Sequence, residues 1–347
     1  MIWVRGKTIG QGSFAAVSLA KPTKQSSNLP SILAVKSCGL SQSESLQNEK
    51  MVLEELKDCP EIIRCYGDSI TVENGVKLYN VALEYASGGA LSEKVKISGN
   101  FRLPENEVRR VTKSVLNGLD FIHGNGFVHC DIKLQNILLD SNGAVKIADF
   151  GLAKKITPLN NLNSPVKWGI RGTPIYMSPE MVTGGEQGPA ADVWAVGCMV
   201  VEMITGEPVW KCCDFGALLM KIGIGGEIPE IPGKLLLSDE GKDFLGKCFL
   251  KDPRERWTAE MLLRHPFVNS VVECEEDAEN QISPRDPFDF FDWEVESERS
   301  VTSDLELDLE LELESELSAV SLATRLGGLM TCQQPDWSVS GSWLKVR

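Results

Sequence analysis

Acidic and amide side chains recur at short intervals between residues 131 and 149. Asp131 is followed by Asn136, and Asp149 begins an Asp-Phe-Gly triplet thirteen residues beyond Asn136. The residues on either side of 140–143 are typical of two strands joined by a tight turn, so a hairpin is predicted. This hairpin would bring Asn136 and Asp149 together as two oxygen ligands of the kind that Mg²⁺ accepts. Asp131 would then be available to accept a proton from an attacking hydroxyl group.

Lys36 and Glu49 form a second pair of charged residues that could act on phosphate groups. Lys36 ends an apolar strand, where a lysine is most often an ordinary solvated residue. Glu49 falls three residues after Leu46 and four before Leu53, so it shares the apolar face of a predicted helix. A buried carboxylate is unfavourable without a partner, and Lys36 can provide one. The two residues are therefore predicted to form an ion pair over phosphate groups.

A segment with two glycines precedes these residues and lies between two predicted strands. It reads Gly10-Gln11-Gly12-Ser13-Phe14-Ala15-Ala16-Val17. Small residues let backbone N–H groups approach phosphates closely, although such pairs of glycines are more often plain turns. A dinucleotide-binding βαβ unit would need a helix directly after the glycines. A strand is predicted there instead, which excludes that unit and leaves a phosphate-binding loop or a plain turn.

The hydrophobic pattern predicts strands early in the chain and helices later. The β-favouring runs are 3–9, 16–21 and 32–37, and the clearest helical patterns are 105–123 and 192–205. A further helix follows the third strand, where Ser41 and Glu44 have the spacing of a capping box. A β-rich segment followed by a helical one predicts an α+β fold of two lobes.

The net charge of −14 is concentrated near the C-terminal end of the 347-residue chain. Residues 270–347 contain 19 acidic and 5 basic side chains, whereas residues 1–269 contain 30 of each. Because the body has no basic excess, nucleic acid is not expected as a partner. Residues 304–316 alternate acids with leucines, a composition typical of disordered segments; ordering on a basic surface is the alternative. Residues 269–347 are therefore predicted to form an acidic, disordered regulatory tail.

Membrane insertion and secretion are not expected either. The longest apolar stretch, 193–201, falls well short of the roughly 20 residues that span a bilayer. The N-terminal residues lack the apolar core of a signal peptide. The 10 cysteines contain no Cys-x-x-Cys spacing, so reduced thiols are expected in place of disulfides or zinc. These features predict an intracellular protein of the cytoplasm, the nucleus or both.

The stretch from His129 to Asn136, followed by Asp149-Phe150-Gly151, resembles the catalytic loop and metal-binding triplet of eukaryotic protein kinases. The resemblance covers residues 3–268 and implies a β-rich N-lobe at 3–86, a helical C-lobe at 87–268, and the use of ATP and Mg²⁺. The residues implied to carry the chemistry are Asp131 as catalytic base, Lys133 beside it, Lys36 on the phosphates, Glu49 as its partner, and Asn136 and Asp149 as metal ligands.

The same resemblance implies an ATP site in the N-lobe and several internal contacts. The residues implied to surround the nucleotide are Ile9, Gly10, Gln11, Gly12, Ser13, Phe14, Ala15, Ala16, Val17, Ala34, Lys36, Leu83, Glu84, Tyr85 and Ala86. Leu83 would close the back of the adenine pocket. Arg256 would pair with Glu180, and a packing spine would join Leu53, Cys65, His129 and Phe150.

Two features resemble serine/threonine kinases in particular. Lys133 stands two residues after Asp131, and 172–177 resembles the substrate-facing loop in which Thr173 would bond both residues. The phrases GQGSFAAVSLA, LEYASGGAL, VHCDIKLQNILL, RGTPIYMSPE and CFLKDPRERWTAEMLLRHPF are similar to plant MEKK-like mitogen-activated protein (MAP) kinase kinase kinases. That similarity implies a MAP kinase kinase as substrate and no particular oligomeric state. A serine/threonine kinase outside such a cascade, and a pseudokinase scaffold, are the alternatives.

Two positions depart from the kinase pattern. Ala15 replaces a third glycine, which adds one methyl group and should be tolerated. Cys130 replaces the arginine that usually precedes the catalytic base and binds a phosphate on the activation segment. The enzyme is therefore expected to be active without that phosphate, although Thr157, Ser164 and Thr173 are candidate phosphorylation sites.

Overall fold

The structure is a computed structural model that describes residues 3–12, 15–23, 29–156, 171–185, 187–212 and 214–269. The predicted acidic tail lies beyond the described residues, apart from its first residue, Asn269. Ser13, Phe14, Thr157 and Ser164 are also outside the described ranges.

The N-terminal lobe is built on an antiparallel sheet. Its strands are β1 (Trp3–Gln11), β2 (Ala16–Pro22), β3 (Leu33–Gly39), β4 (Cys65–Glu73) and β5 (Val76–Glu84), in the order β1-β2-β3-β5-β4. The three strands predicted from sequence are confirmed, with small differences at their ends. Lys36 lies on β3, the central strand, opposite Val17 of β2 and Val81 of β5. Both neighbouring strands therefore fix its backbone.

The helix α1 (Glu44–Glu55) packs on this lobe with Leu46 and Leu53 buried. The predicted capping box of Ser41 and Glu44 is wrong. The chain leaves β3 through a short 3-10 turn, and Ser43 is the residue before the helix. Its hydroxyl donates to the Leu40 carbonyl at 2.7 Å, so it closes that turn and does not cap α1.

The C-terminal lobe is mainly helical. Its helices are α2 (Leu91–Ile97), α3 (Glu105–Gly124), α4 (Pro179–Thr183), α5 (Pro189–Thr205), α6 (Phe215–Gly223), α7 (Asp239–Cys248), α8 (Ala259–Leu263) and α9 (Pro266–Asn269). The α3 prediction is confirmed to within one residue. The predicted helix at 192–205 begins earlier, at Pro189, because proline is favourable in the first turn of a helix. Trp194 of α5 is fully buried, as expected of a helix that is apolar nearly all round.

Short strands at the base of the lobe interface carry the catalytic segments. They are β6 (Gly89–Ala90), β7 (Phe127–Val128), β8 (Ile137–Leu139), β9 (Val145–Ile147) and β10 (Lys154–Lys155). The predicted hairpin is confirmed, since β8 and β9 pair antiparallel. The Asp140 carboxylate accepts the N–H groups of Asn142 and Ala144, each at 2.8 Å, and so stabilises the turn. Strands in one lobe and helices in the other confirm the two-lobed α+β fold. None of the described helices combines the length and apolar character needed to cross a membrane.

Candidate active site

Three charged residues from three segments meet beneath the N-lobe sheet. Lys36 Nζ donates to Glu49 Oε2 at 2.6 Å and to Asp149 Oδ1 at 2.8 Å. Glu49 lies on the buried face of α1 and is 1% exposed, so the predicted ion pair is present. The Phe150 N–H donates to the other Glu49 oxygen at 3.3 Å. The trio therefore links the central strand, helix α1 and the Asp-Phe-Gly triplet.

The charges of this trio stabilise one another against burial. Burial alone would lower the pKa of Lys36, but the carboxylates of Glu49 and Asp149 outweigh it and raise that pKa. Burial raises the pKa of Glu49, with the Lys36 charge opposing it. Burial also acts to raise the pKa of Asp149, yet Lys36 more than compensates, and the pKa lies below its usual range. Lys36 thus remains a cation and Asp149 an anion at neutral pH.

A second network surrounds Asp131 in the C-lobe. Lys133 Nζ lies 2.8 Å from Asp131 Oδ2 and donates to Thr173 Oγ1 at 2.8 Å. The Thr173 hydroxyl donates to Asp131 Oδ1, also at 2.8 Å. These contacts confirm that Thr173 bonds both Asp131 and Lys133. The Asp131 carboxylate therefore already accepts a hydroxyl group at hydrogen-bond distance, which is the contact that a general base requires.

Asn136, directly before β8, completes this network. Its Nδ2 donates to the backbone carbonyl of Asp131 at 2.8 Å and to Asp131 Oδ2 at 2.9 Å. The Ala148 N–H donates to the Asn136 carbonyl at 2.9 Å, so the hairpin brings Asn136 beside the residue that precedes Asp149. Both Asn136 side-chain bonds use the amide nitrogen, which leaves its oxygen for another role.

The backbone that precedes Asp131 is held by hydrogen bonds to Asp192, a residue of α5. Asp192 accepts the N–H groups of His129 and Cys130, each at 2.9 Å, and contacts His123 Nε2 at 2.9 Å. Cys130 has a φ of 70°, which is unusual for a residue other than glycine, and the two bonds to Asp192 stabilise it. Sequence reasoning placed Asp192 at the start of a helix without giving it this role. A buried acid in an otherwise apolar helix was the available signal.

His129 connects the catalytic loop to the Asp-Phe-Gly triplet. Its Nδ1 accepts the Asp131 N–H at 3.2 Å, which assigns the ring proton to Nε2, and Nε2 lies 3.2 Å from the Ala148 carbonyl. Its ring also packs edge-on against Phe150, with centroids 4.7 Å apart. This is the predicted contact between two members of the packing spine. Leu53 is buried, and its place in the spine together with Cys65 stays a prediction.

The described residues that are predicted to enclose the nucleotide lie on β1, β2, β3 and β5 or directly beside these strands. Ala34 pairs with Leu83 across β3 and β5, and both are 7% exposed, so they form an apolar wall. Ala86, just beyond β5, is equally buried, and Ile9 and Val17 are half-buried on β1 and β2. The Glu84 side chain accepts the Arg64 N–H at 3.1 Å and contacts Lys146. Its side chain is therefore already engaged, and the contact of residues 84–86 with adenine stays a prediction.

The segment with two glycines lies between two strands, β1 and β2, as predicted. Gly10 pairs with Val17 and Gln11 with Ala16, and the Gly12 N–H donates to the Ala15 carbonyl at 2.9 Å. Because strand β2 follows directly, no βαβ unit is built here. Tyr85, directly after β5, is half-buried.

The comparisons with known proteins agree with this geometry. The protein kinase domain family matches residues 3–268. The chain is 50% identical over 364 aligned residues to mitogen-activated protein kinase kinase kinase 20 of Arabidopsis thaliana, with 100% of each chain covered. It is 41% and 43% identical to kinase kinase kinases 17 and 18 of the same plant. Those alignments cover 79% and 77% of this chain and 72% and 78% of the relatives.

The chain belongs to the protein kinase family. It is a serine/threonine protein kinase, and membership of this family implies the use of ATP and a divalent metal ion. The resemblance to plant MAP kinase kinase kinases inferred from sequence phrases is confirmed by the same comparisons.

Proposed function

We propose that this kinase transfers the γ-phosphate of ATP, with Mg²⁺ as the metal, to serine or threonine residues of a MAP kinase kinase. The observation that carries the substrate assignment is the alignment over 100% of both chains with a relative named mitogen-activated protein kinase kinase kinase. The chemistry rests on the two networks around Lys36 and Asp131.

The residues present fit a magnesium ion. Asn136 directs its amide nitrogen to Asp131, and Asp149 uses one carboxylate oxygen for Lys36. The amide oxygen of Asn136 and the second oxygen of Asp149 are hard ligands of the type that Mg²⁺ prefers. Within the described part of the chain, no cluster of three His, Cys, Asp or Glu residues could hold a metal. A few protein ligands together with phosphate oxygens suit Mg²⁺, which would neutralise charge on the transferring phosphate.

The remaining residues have distinct roles in this proposal. Asp131 Oδ1, which here accepts the Thr173 hydroxyl, would accept the hydroxyl proton of the substrate. Lys133 carries a positive charge beside it and would stabilise negative charge on the attacking side. Lys36, kept protonated by Glu49 and Asp149, would bind the α- and β-phosphates.

The place of action is proposed to be the cytoplasm, the nucleus or both. The seven cysteines within the described ranges are all free thiols, which is typical of a reducing compartment. A fluorescent fusion imaged in plant cells tests this proposal. Accumulation in a secretory compartment would contradict it.

The substrate proposal is tested with a panel of catalytically inactive MAP kinase kinases. Each is incubated with the full-length kinase and Mg-ATP, and phosphorylated residues are mapped by mass spectrometry. Phosphorylation of one or two members of the panel is expected, and Asp131→Asn protein serves as the control for contaminating kinases. Autophosphorylation without transfer to any member would refute the assigned substrate and keep the kinase assignment. No transfer at all would favour a scaffold.

A further inference from the structure

One face of α1 contacts the backbone that follows Asp149. Ser45 and Asn48 lie on this face with Glu49, and all three contact the residues at 150–153. The Ser45 hydroxyl donates to the Gly151 carbonyl at 3.2 Å from an exposed position. Asn48 makes the closer contact and is half-buried, so its amide is better shielded from competing water.

The Asn48 amide reaches several backbone carbonyls at once. Its Nδ2 donates to the Ala153 carbonyl at 2.9 Å, and the carbonyls of Phe150 and Gly151 each lie 3.4 Å from it. These oxygens are brought together by the 3-10 turn at Phe150–Leu152, which follows Asp149 at a left-handed φ of 65°. A different backbone path would separate them. The Asn48 contact therefore depends on this backbone path, in which Asp149 also bonds Lys36.

Glu49, the next residue, needs such support. Its carboxylate is 1% exposed, and burial of an ion favours any movement of the helix that returns it to water. Lys36 opposes that movement with a single bond to Glu49 and shares its ammonium group with Asp149, and the Phe150 N–H adds only a longer bond of 3.3 Å to the other Glu49 oxygen. A further attachment of α1, made by a neutral group, would hold Glu49 in place without adding another buried charge.

We propose that Asn48 is a positioning residue for phosphoryl transfer. Its amide attaches α1 to the backbone at 150–153 and so keeps Glu49 within bonding distance of Lys36. Asn48 itself contacts no reacting group in this assignment, and its effect on turnover passes through Glu49. The inference rests on the kinase activity of the chain and is independent of which protein is the substrate.

The first test compares Asn48→Ala with Gln47→Ala in the full-length protein. Gln47 is the preceding residue of the same helix and has the same amide group, but it donates to Ser43 Oγ at 2.7 Å within the N-lobe. The kcat/KM for casein phosphorylation with Mg-ATP is expected to fall about five- to tenfold in Asn48→Ala, as for the loss of one good hydrogen bond. It should change less than about twofold in Gln47→Ala. Equal losses in the two variants would overturn the proposal.

The second test separates positioning from general stabilisation. If Asn48 acts through Glu49, then Asn48→Ala in a Glu49→Gln background should cause less than about a twofold further loss of kcat/KM. A further loss as large as in the wild-type background would mean that Asn48 acts independently of Glu49, which contradicts the proposal.

A third variant covers the case in which Asn48→Ala folds poorly. Asn48→Asp keeps the side-chain volume but replaces the donor with a carboxylate facing the backbone carbonyls, so it should lose at least as much activity as Asn48→Ala. Thermal unfolding of each variant is measured in parallel, so that the rates refer to folded protein. Wild-type kcat/KM in folded Asn48→Asp protein would exclude the attachment.

Discussion

Two buried ion pairs, one in each lobe, join distant parts of the chain in different ways. In the C-lobe, Arg256 donates to both oxygens of Glu180, at 2.7 and 3.0 Å, as predicted from sequence. Its remaining donors bond the carbonyls of Ala190, Leu250 and Lys251, and its guanidinium stacks over the Trp194 ring at 5.1 Å. All N–H groups of the guanidinium are therefore engaged in hydrogen bonds, so this pair is a fixed cross-link.

The N-lobe pair is built from lysine, whose ammonium group is a compact charge without the fixed planar geometry of a guanidinium. Lys36 makes one bond to Glu49 and one to Asp149, whose side chain is 36% exposed. Because an ammonium group can exchange one oxygen partner for another, Lys36 can turn from Asp149 to an incoming phosphate without losing Glu49. The comparison indicates that Arg256 fixes the architecture of the C-lobe, whereas Lys36 keeps a positive charge in the N-lobe that can bind a phosphate.

The largest predicted effect is on stability, at the fixed cross-link. Arg256→Met should lower the free energy of unfolding by about 3–5 kcal/mol, because Glu180 would remain buried without its partner. Chemical denaturation monitored by tryptophan fluorescence measures this. The double variant Arg256→Met, Glu180→Gln should recover part of the loss, since no buried charge is then left unpaired. A loss below about 1 kcal/mol in the single variant would show that the pair is not the cross-link described.

The next effect is on chemistry, at the lysine pair. Asp149→Asn keeps the side-chain volume but removes the charge proposed to hold the metal, so kcat should fall by about 100-fold or more. The free energy of unfolding should change by less than about 1 kcal/mol, because the side chain is partly exposed. Steady-state kinetics with Mg-ATP and denaturation of the same samples measure both quantities. Near-normal turnover in folded Asp149→Asn protein would reject Asp149 as the metal ligand.

A smaller effect is expected at the third charged pair, Lys133–Asp131. Thr173 donates to one residue and accepts from the other, so Thr173→Val removes both bonds and should lower kcat/KM about tenfold. Thr173→Ser keeps the hydroxyl and should retain activity within about threefold of the wild type. Near-normal activity in folded Thr173→Val protein would show that these hydroxyl bonds are not needed, and an equal loss in Thr173→Ser would show that the hydroxyl alone is not sufficient.

Sequence reasoning predicted the contacts that follow from side-chain chemistry and strand or helix spacing. Glu49 was assigned to Lys36 because a carboxylate on an apolar helical face needs a cation, and the hairpin at 140–143 placed Asn136 beside Asp149. The capping box of Ser41 and Glu44 was wrong, because the residue before α1 is Ser43 and not Ser41. The 3-10 turn after β3, which depends on how the chain leaves the sheet, shifts the start of the helix by these two residues.

The contacts that sequence reasoning missed involve backbone groups. Asp192 accepts two N–H groups of the catalytic loop, and Asn48 donates to carbonyls more than a hundred residues away. Every residue except proline has the same backbone N–H and carbonyl groups, so a sequence pattern cannot indicate which of them is bonded. These contacts depend on positive φ values at Cys130 and Asp149, which are set by tertiary structure.

The smallest predicted effect concerns Cys130, a position where the chain has neither an arginine nor a lysine. The thiol is 4% exposed, and burial raises its pKa, so it carries no charge that could bind a phosphate. The loop around it is already held by the two bonds from its backbone and that of His129 to Asp192. Phosphatase-treated enzyme should therefore phosphorylate an inactive MAP kinase kinase within about threefold of the untreated rate, because no arginine at 130 forms charge-assisted bonds with a phosphate.

The control for this prediction comes from two cations near the loop. The charges of Lys154 and Arg171 lie close enough to lower the pKa of the Cys130 thiol, although burial dominates. If activity depends on phosphate after all, Arg171→Ala should abolish that dependence, because a second cation would then be performing the role of the missing arginine. If the dependence on phosphate survives in Arg171→Ala, Lys154 would be the next cation to test in that role. An unchanged rate after dephosphorylation would show that the loop needs no phosphate beyond the bonds that its backbone already makes, among them the two to Asp192.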